Sequence, residues 1–459
     1  MPAILGLTSS KTFDDNGFYS LNDRRQVFHE YPNGAAPLTG LLSLMETEPT
    51  DNPKFGWFEK RFKTPKTQIN AVAAPFSTGG GDVAVANPFT ATAAGSLRVV
   101  VDDTAEFRVR DVIWLKDLPV SGGVVQLQGI ITAIPTATKI DFTVIETVAG
   151  IINSTAATPT GPGDSWLIVV GTASAEGSIS SGSGVFYPPV NPENFTQIFR
   201  TPFAFTGTGL KIPANFDKTG IYKEKAKDSC LDHMVKMEKA FLFGQKGIQN
   251  IADPTTGDTV PLRTTGGLHW WLQQYEKANG GAYELRPGGA ALTADSDDEK
   301  RIIRNTSGTM TWAVFNSYVE RAFRRTNNKS FEKIVFCGSK ALAALNTVIE
   351  SRVTTNKNFG AENTYGMNVV SIETVHGILH FKSHPLFTEH PSFEKAMMIT
   401  DVGNLRYRPL NDRDTVINDN IQANDLDGRK DEWFSEAGME VRFPESNMLI
   451  QNVGAITVS

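Results

Sequence analysis

An α+β fold carrying an inserted all-β domain is what the sequence predicts, and three features of the chain predict it. Between residues 95 and 173, short β-branched runs succeed one another with glycine-rich turns between them. Residues 219–245 place Tyr222, Ala226, Cys230, Met234, Met237 and Phe241 at spacings of three and four, one apolar stripe on a helix. From about residue 311 onward, helical and strand-like segments alternate.

The first fifty residues read as an arm, with scattered aromatics, many turn residues and no sustained period. Residues 52–68, "NPKFGWFEKRFKTPKTQ", differ in kind. Lys54, Lys60, Arg61, Lys63 and Lys66 face a single acid, Glu59, with Phe55, Trp57, Phe58 and Phe62 interleaved. Such a segment is either a two-sided strand at a sheet edge with its charges outward, or a basic contact surface for a protein or nucleic-acid partner.

A nearly uncharged stretch follows, and then strand-like runs at 96–103, 110–117, 123–134, 138–146 and 165–173. Their spacing and turn signals predict a small barrel or sandwich. Low-charge linkers, "FSTGGGD" at 76–82 and "SAEGSISSGSG" at 174–184, flank it and mark it as an insertion. The apolar segment "ENFTQIFRTPFAFTG" (193–207) is a strand whose Phe195, Ile198, Phe199, Phe203 and Phe205 need cover, from the chain itself or from a neighbour. The helix 219–245 comes next, about 37 Å long, with Gly244 as its terminator. Beyond a glycine-rich region lie a helix at 311–326, a strand at 333–337, a helix begun by Ser339, and strands at 377–384, 396–401 and 404–410. Two more strands close the chain around Met439, Val441 and Phe443.

The 459 residues carry a formal net charge of −6, against the strong basic excess of a non-specific nucleic-acid binder. Two cysteines, Cys230 and Cys337, rule out a disulfide framework and suit a reducing compartment. The N-terminus lacks a basic n-region, and no apolar run approaches the roughly 18 residues of a membrane helix. The expectation is a protein made in a cytoplasm, with no membrane partner.

Candidate chemistry is sparse. His376, His380, His384 and His390 would form a metal face only on a helix, and the local alternation with Gly377 and Pro385 reads as a strand. Strand residues four apart lie about 13 Å from one another, too far to share one zinc ion. "ANDLDGRKDEWFSE" (423–436) resembles a calcium loop but has Ala423 and Phe434 at both anchoring positions. It reads instead as an Asp-rich turn between strands. "STGGGDV" is not followed by the Gly-Lys-Ser/Thr of a phosphate loop, and no G-x-S-x-G, HExxH or CxxC occurs. Cys337 is expected to be a buried thiol. No catalytic constellation, cofactor site or metal site is expected.

The order of arm, long β excursion with an inserted β domain, return through "NFTQIFR" into a long helix, α/β region and closing "EVRFPES" strands resembles one family. It is similar to the major capsid (major head) protein of tailed bacteriophages, of the Hong Kong 97-type fold. Within that fold it looks like the branch in which N-[FY]-T-Q-I-F-R precedes the long helix. The resemblance implies an N-terminal arm (1–50), an ascending E-loop side and linker (51–94), an inserted β domain (95–173) and an E-loop return (174–206). It further implies a P domain (207–259) with spine helix 219–245, an A domain (260–410) and strands returning to the P domain (411–459).

The function so implied is that of a self-assembling subunit of an icosahedral head, a virion protein assembled in the host cytoplasm as hexamers and pentamers. The implied partners are copies of the chain, a portal protein, a separate scaffolding protein, a decoration protein, and packaged double-stranded DNA held by weak non-specific contact. Subunit-interface residues are expected at Lys54, Trp57, Lys60, Arg61, Lys63, Phe195, Phe199 and Arg200. The competing readings are a receptor- or glycan-binding surface protein and an encapsulin-type shell.

Overall fold

The computed structural model describes residues 44–61, 65–70, 74–153, 165–178, 186–211, 221–252, 257–283, 285, 291–294, 299–305, 310–325, 331–350, 361–364, 367–389 and 391–453. The arm before residue 44, Lys63, His390 and the first two residues of the expected long helix lie outside them. The chain divides into two compact units, one spanning Lys60–Pro189 and the other formed by the chain up to Glu59 together with Val190 onward. Among the described residues no helix is long and apolar enough to cross a membrane.

The unit 60–189 is built on a nine-stranded sheet. The five runs expected from sequence are strands Ser96–Val100, Asp111–Val120, Gly123–Thr136, Lys139–Val144 and Trp166–Thr172. The sheet reaches further than these. Lys66–Gln68 pairs with Trp166–Thr172, Phe76–Thr78 pairs with Ser96–Val100, and Val148–Ile151 joins Phe89–Ala91 to Asp111–Val120. Residues 76–82 are therefore no linker at their start. Phe76 is buried beside Phe89, and the Asn153 side chain bonds both its backbone N–H and its carbonyl at 2.9 Å. Val99, Ile113, Leu115, Leu127, Phe142 and Leu167 fill the core. Arg98 and Asp141 face each other across paired strands as a buried bidentate ion pair.

In the other unit the central strand is Gly428–Val441. Gln197–Thr206 lies antiparallel to it in ten successive pairs, from Gln197 opposite Ala437 to Thr206 opposite Gly428. Leu405–Pro409 and Val416–Asn418 pair with it too, and Glu46–Thr47 runs parallel to Leu405–Pro409. Alternation sorts the Gln197–Thr206 side chains: Phe199, Thr201 and Phe203 are buried, while Ile198, Arg200, Pro202 and Ala204 are exposed. The long helix, Ile221–Phe243, covers the buried side. Phe199 meets Phe241 edge-on at 6.2 Å, and Phe203 and Phe205 pack on Tyr222 at 5.8 and 6.1 Å. The apolar strand thus finds most of its cover within its own chain.

The deepest line of that helix differs from the expected stripe. Ser229, His233, Met237 and Phe241, each four apart, are buried, whereas Tyr222, Ala226, Cys230 and Met234 are only half-buried. His233 is tolerated there because each of its ring nitrogens has a hydroxyl partner, Thr201 at 3.1 Å and Ser435 at 2.8 Å. Glu238 likewise meets His384 at 2.8 Å in the interior. Gly244 ends the helix, since a Cβ there would lie 2.3 Å from the Ala240 carbonyl oxygen.

A seven-stranded mixed sheet holds the remaining core, in the order Ile302–Arg304, Met448–Gln451, Met397–Thr400, Glu332–Cys337, Gly377–Ser383, Met367–Thr374, Ala361–Thr364. Helix Trp312–Arg324, capped by Thr311, and helix Ser339–Glu350 accompany it. The final strand, Met448–Gln451, pairs with Ile302–Arg304 and Met397–Thr400 and not with the sheet beside the long helix. Lys333 is buried here and donates to the carbonyls of Ala322 and Ser446. Burial pushes its ammonium down to about 7.

Burial also holds the His233 imidazolium below its ordinary range. The folded state then binds fewer protons than the unfolded chain just below pH 6.5, so this contribution to stability is complete above that pH and is lost as pH falls. Half-buried His269 acts with the same sign. The thermal midpoint is expected to fall between pH 7 and 5, and His233→Gln to shrink that fall; an unchanged pH slope in the variant refutes the assignment to His233.

Candidate functional site

Two segments singled out by sequence, 54–61 and 193–200, meet in the structure. Lys54–Gly56 pairs antiparallel with Glu193–Phe195. The chain then continues side by side, with Glu59 and Val190 exchanging backbone hydrogen bonds at 2.8 Å in both directions. Residues 54–60 alternate strictly: Phe55, Trp57 and Glu59 are buried, and Lys54, Gly56, Phe58 and Lys60 are exposed.

Asn194 is the centre of this region and is fully buried. Its amide nitrogen lies 2.7 Å from the Met439 carbonyl, 3.0 Å from the Gly266 carbonyl and 3.2 Å from Thr265 Oγ1. Its carbonyl oxygen accepts from the backbone N–H of Gly266 and of Phe195. One side chain thereby joins the return strand, the loop before helix Leu268–Glu276, and the central strand. The rest of "NFTQIFR" follows from the same place. Thr196 donates to Glu436 and Gln197 accepts from the Thr265 N–H. Phe199 enters the core, and Arg200 lies outside over the Phe434 ring at 5.4 Å.

The sequence-predicted interface residues therefore separate. Trp57 and Phe199 are 7% and 6% exposed and belong to the chain's own core. The Trp57 indole donates to Glu59 at 2.8 Å and packs 5.3 Å from Trp271, which leaves it no surface to offer a neighbour. Phe195 is half-buried beneath Lys246, whose ammonium lies 4.8 Å from its ring. Lys54 binds Glu193 at 2.7 Å. Burial raises the Glu193 carboxyl, but Lys54 and Lys246 outweigh it and hold the group below its ordinary value. Lys60 is exposed with its ammonium 5.1 Å from the Phe186 ring, and Arg61 is half-buried. Phe58 and Phe186 are 75% and 74% exposed.

A second surface was not singled out by sequence. The lobe 411–431 between Leu405–Pro409 and the central strand exposes Asp412, Asp414, Asp419, Asp425 and Asp427. Beside them Val416, Ile417, Ile421 and Leu426 are exposed by 38–55%. The sequence signal is the Asp-rich turn that resembles a calcium loop, whose apolar Leu426 has no place in ion binding. Phe434, at its base, is held between the Arg200 and Arg413 guanidinium groups, 5.4 and 4.7 Å from the ring.

The three described histidines of the predicted cluster do not assemble. His376 is exposed in a turn, His380 meets Ser371 at 2.9 Å and His384 meets Glu238. Among the described residues no three His, Cys, Asp or Glu side chains gather as metal ligands. Cys337 is buried, which pushes its thiol well up and away from nucleophilic use.

The family model described as SU10 major capsid protein matches residues 16–454. The chain belongs to that family. It is the major capsid protein of a phage, a structural subunit of the virion capsid, and such a family is not an enzyme class. A curated relative, the major capsid protein of Pseudomonas phage PaMx41, is 25% identical over 365 residues, covering 79% of this chain and 72% of its own. Among solved structures, the capsid of cyanophage A-1(L) is 12% identical, with a TM-score of 0.36 over 61% of this chain and 85% of that one. An encapsulin complex from Synechococcus elongatus is 8% identical, with a TM-score of 0.35 over 59% and 77%.

Removing the Asn194 amide strands two backbone N–H groups and two carbonyls in the interior. Asn194→Ala is expected to cost roughly 2–4 kcal/mol of unfolding free energy, measured by chemical denaturation. A loss below about 1 kcal/mol would place the anchor elsewhere.

Proposed function

We propose that the chain is the repeating subunit of an icosahedral head of the Hong Kong 97 type, forming hexamers and pentamers around double-stranded DNA. In this reading the segments 51–94 and 174–206, which pair where Lys54–Gly56 meets Glu193–Phe195, are the two sides of an E-loop, and residues 95–173 are inserted between them. The helix Ile221–Phe243 is the spine of a P domain, and the region from about 260 to 410 is an A domain. Assembly takes place in the host cytoplasm, with a portal, a separate scaffolding protein and a decoration protein as further partners. The protein carries no catalysis of its own.

The observation that carries the reading is the family match over nearly the whole chain. Surface chemistry supports it. Phe58, Lys60 and Arg61 present an aromatic and basic strap, and the lobe 411–431 presents exposed carboxylates among exposed aliphatics. The strap of one copy fits the lobe of the next in charge and in apolar character. Lys54 and Arg200 flank the contact, both already engaged with acids of their own chain. The mild negative charge of the whole suits a wall that must not hold DNA fast.

Lys60→Glu with Arg61→Glu is expected to lower shell yield at least about tenfold, seen by sedimentation and negative-stain electron microscopy, with added salt weakening wild-type assembly as well. Combining it with Asp425→Lys and Asp427→Lys is expected to restore part of the yield. Normal shells from the double reversal rule out the strap–lobe contact. A chain that stays monomeric with its scaffold under every condition rules out the shell reading itself.

A further inference from the structure

The hairpin that follows the long helix joins neither larger sheet of its unit by strand pairing, although Thr259–Thr264 lies beside Gln197–Thr206. Strands Gly247–Ala252 and Thr259–Thr264 pair only with each other among the described residues. The pairs Ile248–Arg263, Asn250–Pro261 and Ala252–Thr259 share one face; Gln249–Leu262 and Ile251–Val260 share the other. On the second face Ile251, Val260 and Leu262 form an aliphatic triangle, each 42–44% exposed, and Ile248 on the first is 54% exposed.

This is an unusual surface for a soluble chain. A two-stranded ribbon is marginally stable alone in water and ordinarily draws support from a packed face. Exposed strands are usually protected by lysine, proline or charge. Gly247–Ala252 contains neither charge nor proline, and the Pro261 and Arg263 of Thr259–Thr264 both lie on the face opposite Ile251, Val260 and Leu262.

We infer that the Ile251–Val260–Leu262 face is a contact covered by a second copy of this chain in the assembled shell. The inference rests on the shell reading, since a capsid subunit is surrounded by its copies. Charge and area describe how a copy reaches this face. Two chains of net charge −6 repel in general, and an uncharged aliphatic face is where they approach without like-charge cost. A few half-exposed aliphatics fall far short of the roughly 1,000 Å² that a stable pair needs. Free chains therefore stay apart, and the contact forms only when other contacts hold the copies together.

Hydrogen–deuterium exchange on the unmodified full chain, free and in shells formed without any decoration protein, tests this. Amides of 247–252 and 259–264 are expected to slow at least about tenfold on assembly. Ile251→Asn with Val260→Thr is expected to leave the thermal midpoint of the free chain unchanged and to lower the denaturant concentration at which shells dissociate. Equal exchange in both states, or protection only when a decoration protein is added, overturns the inference while leaving the shell reading intact. A wild-type chain that forms no shells removes the shell reading and this inference with it.

Discussion

The side-chain amide of Asn194 ties the return strand, the loop before helix Leu268–Glu276 and the central strand to one point. Its contacts fix where the return strand begins against the central strand Gly428–Val441. With the start fixed, ten residue pairs follow in unbroken register. A slip of one residue would turn Ile198 and Arg200 toward the helix and Phe199 and Phe203 toward water. The helix Ile221–Phe243 would then lose the ring contacts that seat it. A neutral, fully bonded amide does this without a buried charge to compensate. The same residue engages Gly266, at the start of helix Leu268–Glu276, so the route from strand to helix to the second sheet is set from one point.

The interior is more polar than its apolar clusters suggest. His233, Glu238, His384, Lys333 and Arg301 are all at or near complete burial. Each joins elements distant in sequence: Glu238 on the long helix meets His384 after strand Gly377–Ser383, and Lys333 ties helix Trp312–Arg324 to the turn Pro444–Ser446. Arg301 donates to the Arg321 carbonyl on that same helix. Groups of this kind contribute little net stability, because desolvation offsets much of their attraction. They penalise misplacement heavily, since a shifted element strands a charge.

Much of this was legible in the sequence. Patterning located the five main strands of the inserted unit, the long helix and the helix–strand alternation after residue 311, because each is long enough for its period to register. Lys66–Gln68, Phe76–Thr78 and Phe89–Ala91 were not legible. Three residues cannot display alternation, and their glycine, alanine and proline surroundings imitate a linker. The buried line of the helix is not the apolar stripe, because His233 is buried by virtue of hydroxyls on strands distant in sequence. Trp57 and Phe199 read as contact residues for a related reason. Amphipathic alternation tells which side chains seek cover and is silent on whether a second element of the same chain supplies it. The acidic lobe is not legible because the spacing of Asp425 and Asp427 does not distinguish a contact surface from an ordinary Asp-rich turn.

The exit and return of the inserted unit are already joined before the unit begins. Glu59 and Val190 are mutually hydrogen-bonded, and Trp57 bonds to Pro192 just behind them. The closure entropy of whatever lies between them is thus met by the host strands, and it grows only as the logarithm of loop length. A segment of 130 residues or a short turn places nearly the same demand on the frame. The position is a socket: in thermodynamic terms the domain it holds is exchangeable, and the strands that close it set no sharp limit on its size.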